Sequence, residues 1–494
     1  VENSMVQWSE KAAYVWEAVK DSRLLQEAGM GLIQSSIPRS NVPTICVFNT
    51  LNWLRTGLAE IYVDHELIPL GSTFRIVDDQ GREIAAQASR SRADGTYWNL
   101  WCKDIPPMGY KVYRIEFRRG TPENTDLTKL RNGIVENEFY RVVIDTKTGA
   151  ISGLVDKKLH LEMVDSRSPW SLGQFIHETI SNRAQLEQLR LNTYDRQPLT
   201  YIKVERGVDG PIWSSVFISG ESVTAEEGNP VICEIRLFNT EKRIELRYRI
   251  TKKGITDPEA IYIAFPFRMR EGKTCYEIQG GLVYPGENQL EGTSADWHAI
   301  QNFVAVRGAD GQYILGSDEI PLVHFGDINL GKFQYKAQVS NPHVYSWVMN
   351  NYWVTNFRAS QEGEFKWKYF LTSTQNKSNS YATRFSWNSR VPLLSRVFPA
   401  GESSKAPLTQ SLLKTNQDNI LLVSAKPSQD GEGIILHLRE TDGKPAELSV
   451  VLPFVDSRKQ SLTEVNVIEE IIGEPGESIH IKPWESKFVK LNIH

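Results

Sequence analysis

What this chain has little of narrows its reading before anything it contains. Cysteine is scarce. The 494 residues hold four, Cys46, Cys102, Cys233 and Cys275, with no CxxC pair among them. Zinc-ribbon and thioredoxin-like readings therefore fail, and the four are expected as buried free thiols. Long apolar runs are missing too. None approaches the roughly 18 residues of a bilayer span, so no membrane partner is expected. The net charge is −4 and no basic cluster stands out. A nucleic-acid partner, which needs a concentrated positive surface, is not expected either. There is no Gly-x-Ser-x-Gly elbow, no phosphate-cradling glycine loop, no His-Glu-x-x-His and no His-Asp pair. Each of those would have marked a known chemistry. The opening "VENSMVQWSEKAAYVWEAVKDSRLLQEAGM" lacks an initiating Met, a charged-then-apolar leader and a small-residue cleavage site. A mature protein and a fragment of a longer one both fit that start. The compartment stays open, since one Asn-Lys-Ser sequon at Asn376 is too common a tripeptide to assign it.

What is present describes an ordinary globular chain, 40% hydrophobic and 23% charged. Its length suits about three domains of roughly 100–200 residues each. Over the first 35 or so residues, Trp8, Ala12, Val15, Trp16, Val19, Leu24, Leu25, Ala28 and Leu32 recur at three- and four-residue spacings. That periodicity predicts an amphipathic helix, with Ser4 and Gln7 as a capping start and Pro38 as a stop. A lone helix cannot bury such a stripe by itself. After Pro38 no second long helix is expected, and only a weak helical patch shows at "ISNRAQLEQLRL". Short β-rich runs between turn signals fill the rest. The expected division is a terminal helix at 1–37, a small β-sandwich at 38–128, a large β region at 129–385 and a C-terminal β domain at 386–494. The fold class is mainly β, stacked sandwiches behind one helix.

Chemistry is harder to place. A glycosidase needs two carboxylates facing across a cleft, and 60 acids offer no means of choosing two. Asp296 and His298 in "GTSADWHAIQNFVAV" would share one face of a strand, yet such pairs arise readily by chance. The richest stretch is "HVYSWVMNNYWVTNFRASQEGEFKWKYFLTST", where nine of the 26 residues from Tyr345 to Phe370 are aromatic. In its second half Phe365, Trp367, Tyr369 and Leu371 alternate with lysines, which reads as a strand with one buried side. In its first half Asn350, Tyr352, Asn356 and Arg358 share one parity. Amides, a phenol and a guanidinium on one face suit a hydroxyl-rich ligand, and rings stack on a sugar's C–H face. Asn side chains at a strand end also serve irregular backbone, so both readings stay open.

Several segments carry a resemblance. "VENEFYRVVIDTKTGAISGLVDKK" resembles the start of the large β region of glycoside hydrolase family 38, the retaining α-mannosidases. "VFNTLNWLRTGLAEIYV" and "IPPMGYKVYRI" resemble that family's preceding small β domain. "ENQLEGTSADWHAIQNFVAV", "HVYSWVMNNYWVTNFRASQEGEF" and "IKPWESKFVKLNI" are similar to its bacterial members. The first helix looks like the last helix of the family's three-helix bundle.

The resemblance runs through the whole chain in order. It implies a galactose-mutarotase-like super-sandwich as the large domain, and a C-terminal, non-catalytic part of an α-mannosidase. It further implies that zinc, its ligands and the aspartate nucleophile belong to an upstream barrel, since no position here matches them. No cofactor is therefore expected in this chain, no catalytic residue is carried over, and the expected partner is the missing N-terminal catalytic domain. An α-mannoside or oligosaccharide is the implied ligand. Asp296, Trp297, Asn350, Asn351 and Tyr352 are the expected cleft-wall residues, with His298 standing where the family tends to have an aromatic. The unpartnered helix is expected to promote association into a homo-oligomer. Two competing readings remain. One is a stand-alone carbohydrate-binding module. The other is an epimerase- or lyase-like enzyme on a mutarotase-like sandwich, seeded by His177, Glu178 and His324.

Overall fold

The computed structural model describes residues 2–118, 133–353, 358–402 and 406–493. The expected helix is α1, Glu2–Ile33, closed by a 3-10 turn at Gln34–Ser36 just before Pro38. Its apolar stripe stands in solvent. Trp16 is 73% exposed and Leu25 74%, while Met30 is buried. Strands dominate everything after it, so the mainly β class holds.

The chain forms two compact units. The first, apart from α1, spans 126–278 and 282–377 and carries the site described below. It contains a nine-stranded and a six-stranded antiparallel sheet. Alternation explains how they pack. Leu246, Tyr248, Trp367 and Tyr369 from the larger sheet meet Ile261, Ile263, Phe265 and Val344 from the smaller in one core. This is a two-sheet sandwich, built from strands whose apolar residues repeat every second position.

The six-stranded sheet is covered on its other side as well. Every residue of the strand Glu259–Pro266 is buried. Its odd positions face the sandwich core, and Ala260, Tyr262 and Ala264 join a second cluster with Ile176, Leu186, Leu330, Tyr345, Trp347 and Tyr352. A strand enclosed on both faces loses the hydrophobic–polar alternation, and "EAIYIAFP" shows that loss. The weak helical patch becomes α2, Ala184–Glu187, which lends Leu186 to this outer layer.

The second unit spans 33–125 and 378–494 with a short piece at 279–281. Thr44–Asn49, Thr73–Val77 and Gly109–Arg118 form a five-stranded sheet with Leu394–Phe398 and Thr409–Ser411. Strand pairing therefore runs across the 385/386 boundary expected from sequence, with Cys46 opposite Arg396.

Two sequence expectations need correction. A third helix, α3, occupies Asn379–Arg390, where no further helix was expected. Ser378 caps it by accepting a hydrogen bond from the Tyr381 N–H at 3.3 Å, and Ala382, Thr383 and Ser386 form its buried face. These small residues give little hydrophobic periodicity to read. The strand Gly363–Thr374 was expected to bury one side, but Phe370 and Thr372 are buried along with Trp367, Tyr369 and Leu371. Its second face is covered near this end, where Arg243 lies over the Phe370 ring at 5.8 Å and Thr372 Oγ1 donates to the Lys242 carbonyl at 2.6 Å.

Core and helix should respond very differently to truncation. Leu246→Ala removes a fully buried side chain and should cost about 2–5 kcal/mol in urea unfolding. Leu25→Ala on the bare face of α1 should stay within about 0.5 kcal/mol.

Candidate functional site

The outer face of the six-stranded sheet carries a buried ionic hub. Glu178, with no exposed surface, accepts from Arg196 Nε at 2.5 Å, from the Tyr262 hydroxyl at 3.3 Å and from the Tyr352 hydroxyl. Its neighbour His177 points to the opposite face, as alternation along a strand requires. There His177 meets Glu259 at 2.8 Å, and Lys252 closes an ion pair on the same carboxylate. Those two contacts hold the Glu259 carboxyl below its usual range despite its burial. The two adjacent residues thus belong to two separate internal networks, and no shared cleft joins them.

The amide-rich segment follows. The strand His343–Asn350 ends before the expected polar face can form. Asn351 serves the backbone: its Nδ2 donates to the carbonyls of Ile255, Asp257 and Ala359 at 2.9–3.2 Å, and its Oδ1 accepts from Glu259 N–H at 2.7 Å. Arg183 donates to the carbonyls of Asn351 and Tyr352, at 3.2 and 3.0 Å. Tyr352 is wholly buried on Glu178. Asn350 is exposed at the strand end, beside a void of about 20 Å³ shared with Asn351. That void has room for about one water, not a sugar. Asn350, Asn351 and Tyr352 do not reach the cavity that Asp296 and Trp297 line, because the chain turns inward where an extended strand was expected. Asn356 lies outside the described residues.

What the turn does deliver is Trp353. Its ring meets Trp297 at 5.6 Å and Trp347 at 6.0 Å, and Trp297 packs on Trp347 at 5.5 Å. These rings border a cavity of about 550 Å³ that Asp296 and Trp297 both line. That volume falls within the usual range of small-ligand sites. Leu186 and Leu330 close its floor, and Phe333 and Tyr335, 67% and 64% exposed, stand at its mouth. Burial pushes the Asp296 carboxyl up to about 6, against the opposing pull of the Gly331 N–H and Lys332.

Sequence reading missed Trp353, Phe333 and Tyr335 as site residues. The signal for the last two was "KFQYK", two rings at alternate positions between lysines.

His298 does not share a face with Asp296. The strand there is only His298–Ala299, so Asp296 precedes it. His298 is buried, lies within 3.2 Å of the Tyr276 hydroxyl through Nδ1, and packs on Phe325 at 5.0 Å. Burial pulls its pKa down to about 4, which keeps it neutral. His324 is enclosed too; its Nδ1 accepts from the Asn329 N–H at 3.2 Å and burial lowers its pKa to about 3. Zinc is the metal that the resemblance brings up. Among the described residues no three His, Cys, Asp or Glu side chains converge on one point, so this donor set does not fit a zinc centre.

The family model described as "Glycosyl hydrolases family 38 C-terminal domain" matches residues 135–315, and "Glycosyl hydrolases family 38 C-terminal beta sandwich domain" matches 419–485. Among solved structures, an alpha-mannosidase from Enterococcus faecalis V583 is similar over 95% of this chain and 58% of its own, at 13% identity and a TM-score of 0.73. A glycosyl hydrolase family 38 protein from Enterococcus faecalis is similar over 95% of this chain and 61% of its own, at 13% identity and a TM-score of 0.72. The chain thus spans about three fifths of the length of either. No curated protein matches it in sequence.

The perturbed carboxyl gives a pH signature. Asp296 binds its proton more tightly folded, at about 6, than at its ordinary value of 3.8. Ionised Asp296 therefore costs stability that builds as pH rises from about 4 to about 6 and persists above. Asp296→Asn should stabilise the chain at pH 7 by on the order of 1 kcal/mol, after discounting for solvent screening of a half-exposed group. The gain should vanish near pH 4, as urea unfolding at the two pH values will read.

Proposed function

Because this chain belongs to glycoside hydrolase family 38, as a C-terminal portion of it, we propose that it is the non-catalytic part of an α-mannosidase and helps wall that enzyme's substrate cleft. The observation that carries the reading is the cavity of about 550 Å³ bordered by Asp296, Trp297 and Trp353. Concave sites with aromatic walls and a few polar groups suit glycosides, since rings pack on C–H faces and a carboxylate accepts from hydroxyls. In this role Asp296 and Trp297 bind and orient the ligand, and bond cleavage belongs to an upstream domain carrying zinc and the nucleophile. That domain and an α-mannoside or oligosaccharide are the proposed partners. A second reading, a carbohydrate-binding module active by itself, is favoured by one feature: all the cavity's lining residues come from a single compact unit.

The test is hydrolysis of a chromogenic α-mannoside. The chain with added zinc should give none, and the chain joined to an upstream family 38 catalytic portion should turn the substrate over. Hydrolysis by the chain alone would overturn the non-catalytic assignment.

A further inference from the structure

The polar inventory of the cavity is short and mostly committed. Thr293 Oγ1 donates to the Leu290 carbonyl at 2.6 Å and accepts from Gln289 Nε2 at 3.0 Å. Ser294 Oγ donates to the Trp297 carbonyl at 3.4 Å. Gln334 Oε1 accepts from the Gln338 N–H at 3.1 Å. Asp296 is the one charged side chain among the described lining residues. A hexose brings several hydroxyls, each both donor and acceptor, and every one buried without a partner is penalised. Besides Asp296, the lining offers the Gln334 amide nitrogen and, at the exposed rim, the Tyr335 hydroxyl, few polar groups for a whole sugar ring.

Its apolar inventory is long. Leu186, Leu330, Trp297 and Trp353 form walls already fixed by the packing beneath, and Phe333 and Tyr335 offer exposed rings at the rim. Apolar surface removed from water is the main favourable term such a lining can supply. Aromatic ligands add offset or edge-on ring contacts.

We infer that this cavity holds the apolar aglycone of a glycoside, an aryl or alkyl group, while the sugar projects past Asp296 toward solvent. The inference rests on the reading of the chain as part of a glycosidase and specifies which part of the substrate it handles. Asp296, at the junction, accepts a hydrogen bond from a sugar hydroxyl next to the glycosidic oxygen. The apolar group displaces water from the rings of Trp297 and Trp353, and Phe333 and Tyr335 cover it from the rim.

Calorimetric titration of the full chain with methyl α-mannoside and phenyl α-mannoside at pH 7 tests this. The phenyl glycoside should bind at least tenfold more tightly. The double substitution Phe333→Ala and Tyr335→Ala, at exposed positions, should erase that preference without changing the melting temperature. Single Trp353→Ala provides a second reading of the same preference, and should also reduce it. Equal affinities for the two glycosides would overturn the inference, as would failure of both to bind, or a phenyl preference that survives all these substitutions. These results say nothing about hydrolysis by the joined protein. A failure here therefore leaves the α-mannosidase reading standing, and a failure of hydrolysis leaves a measured phenyl preference standing.

Discussion

The six-stranded sheet buries its strand Glu259–Pro266 on both faces, beside a charge whose partners are all supplied from within. Glu178 lies on its outer face with no exposed surface, and Arg196, Tyr262 and Tyr352 all converge on that carboxylate. Removing one partner from such a buried pair typically costs about 3–5 kcal/mol, because the remaining charge is stranded away from water. The hub also fixes geometry. Tyr352 is drawn inward onto Glu178, Arg183 holds the carbonyls on either side of the Tyr352 N–H, and Trp353 is thereby set at the rim of the cavity.

From that anchor the layers build outward in order. Tyr262 stacks on Trp347, Trp347 supports Trp297 and Trp353, and those two rings border open space. Asp296 shares that border, and its partial burial raises its pKa. A rigid aromatic wall with one tuned carboxyl is suited to positioning a ligand. Burial keeps the nearby His298 and His324 neutral.

Much of this was legible in the sequence, for identifiable reasons. The terminal helix announced itself through a regular stripe, and the β class through short alternating runs. Asp296 and Trp297 were singled out by the resemblance, and both line the cavity. The polar face expected from Asn350, Tyr352, Asn356 and Arg358 extended strand parity past Asn350, where the strand stops. Which way a chain turns after a strand depends on tertiary partners such as Arg183, 168 and 169 positions away from the residues it holds. Helix α3 escaped notice because its buried face is Ala, Thr and Ser. The pairing of Glu178 with Arg196 and of His177 with Glu259 shows that two adjacent polar residues on a strand serve opposite faces.

On the proposed reading, a glycoside meets this chain at Trp297 and Trp353. The most direct measurement is the shift of each assigned tryptophan indole N–H by NMR as phenyl α-mannoside is added. Saturable shifts are expected at Trp297 and Trp353, with Trp213 and Trp367, buried elsewhere in the same unit, left unmoved. Shifts confined to other tryptophans, or none at saturating ligand, would contradict that reading.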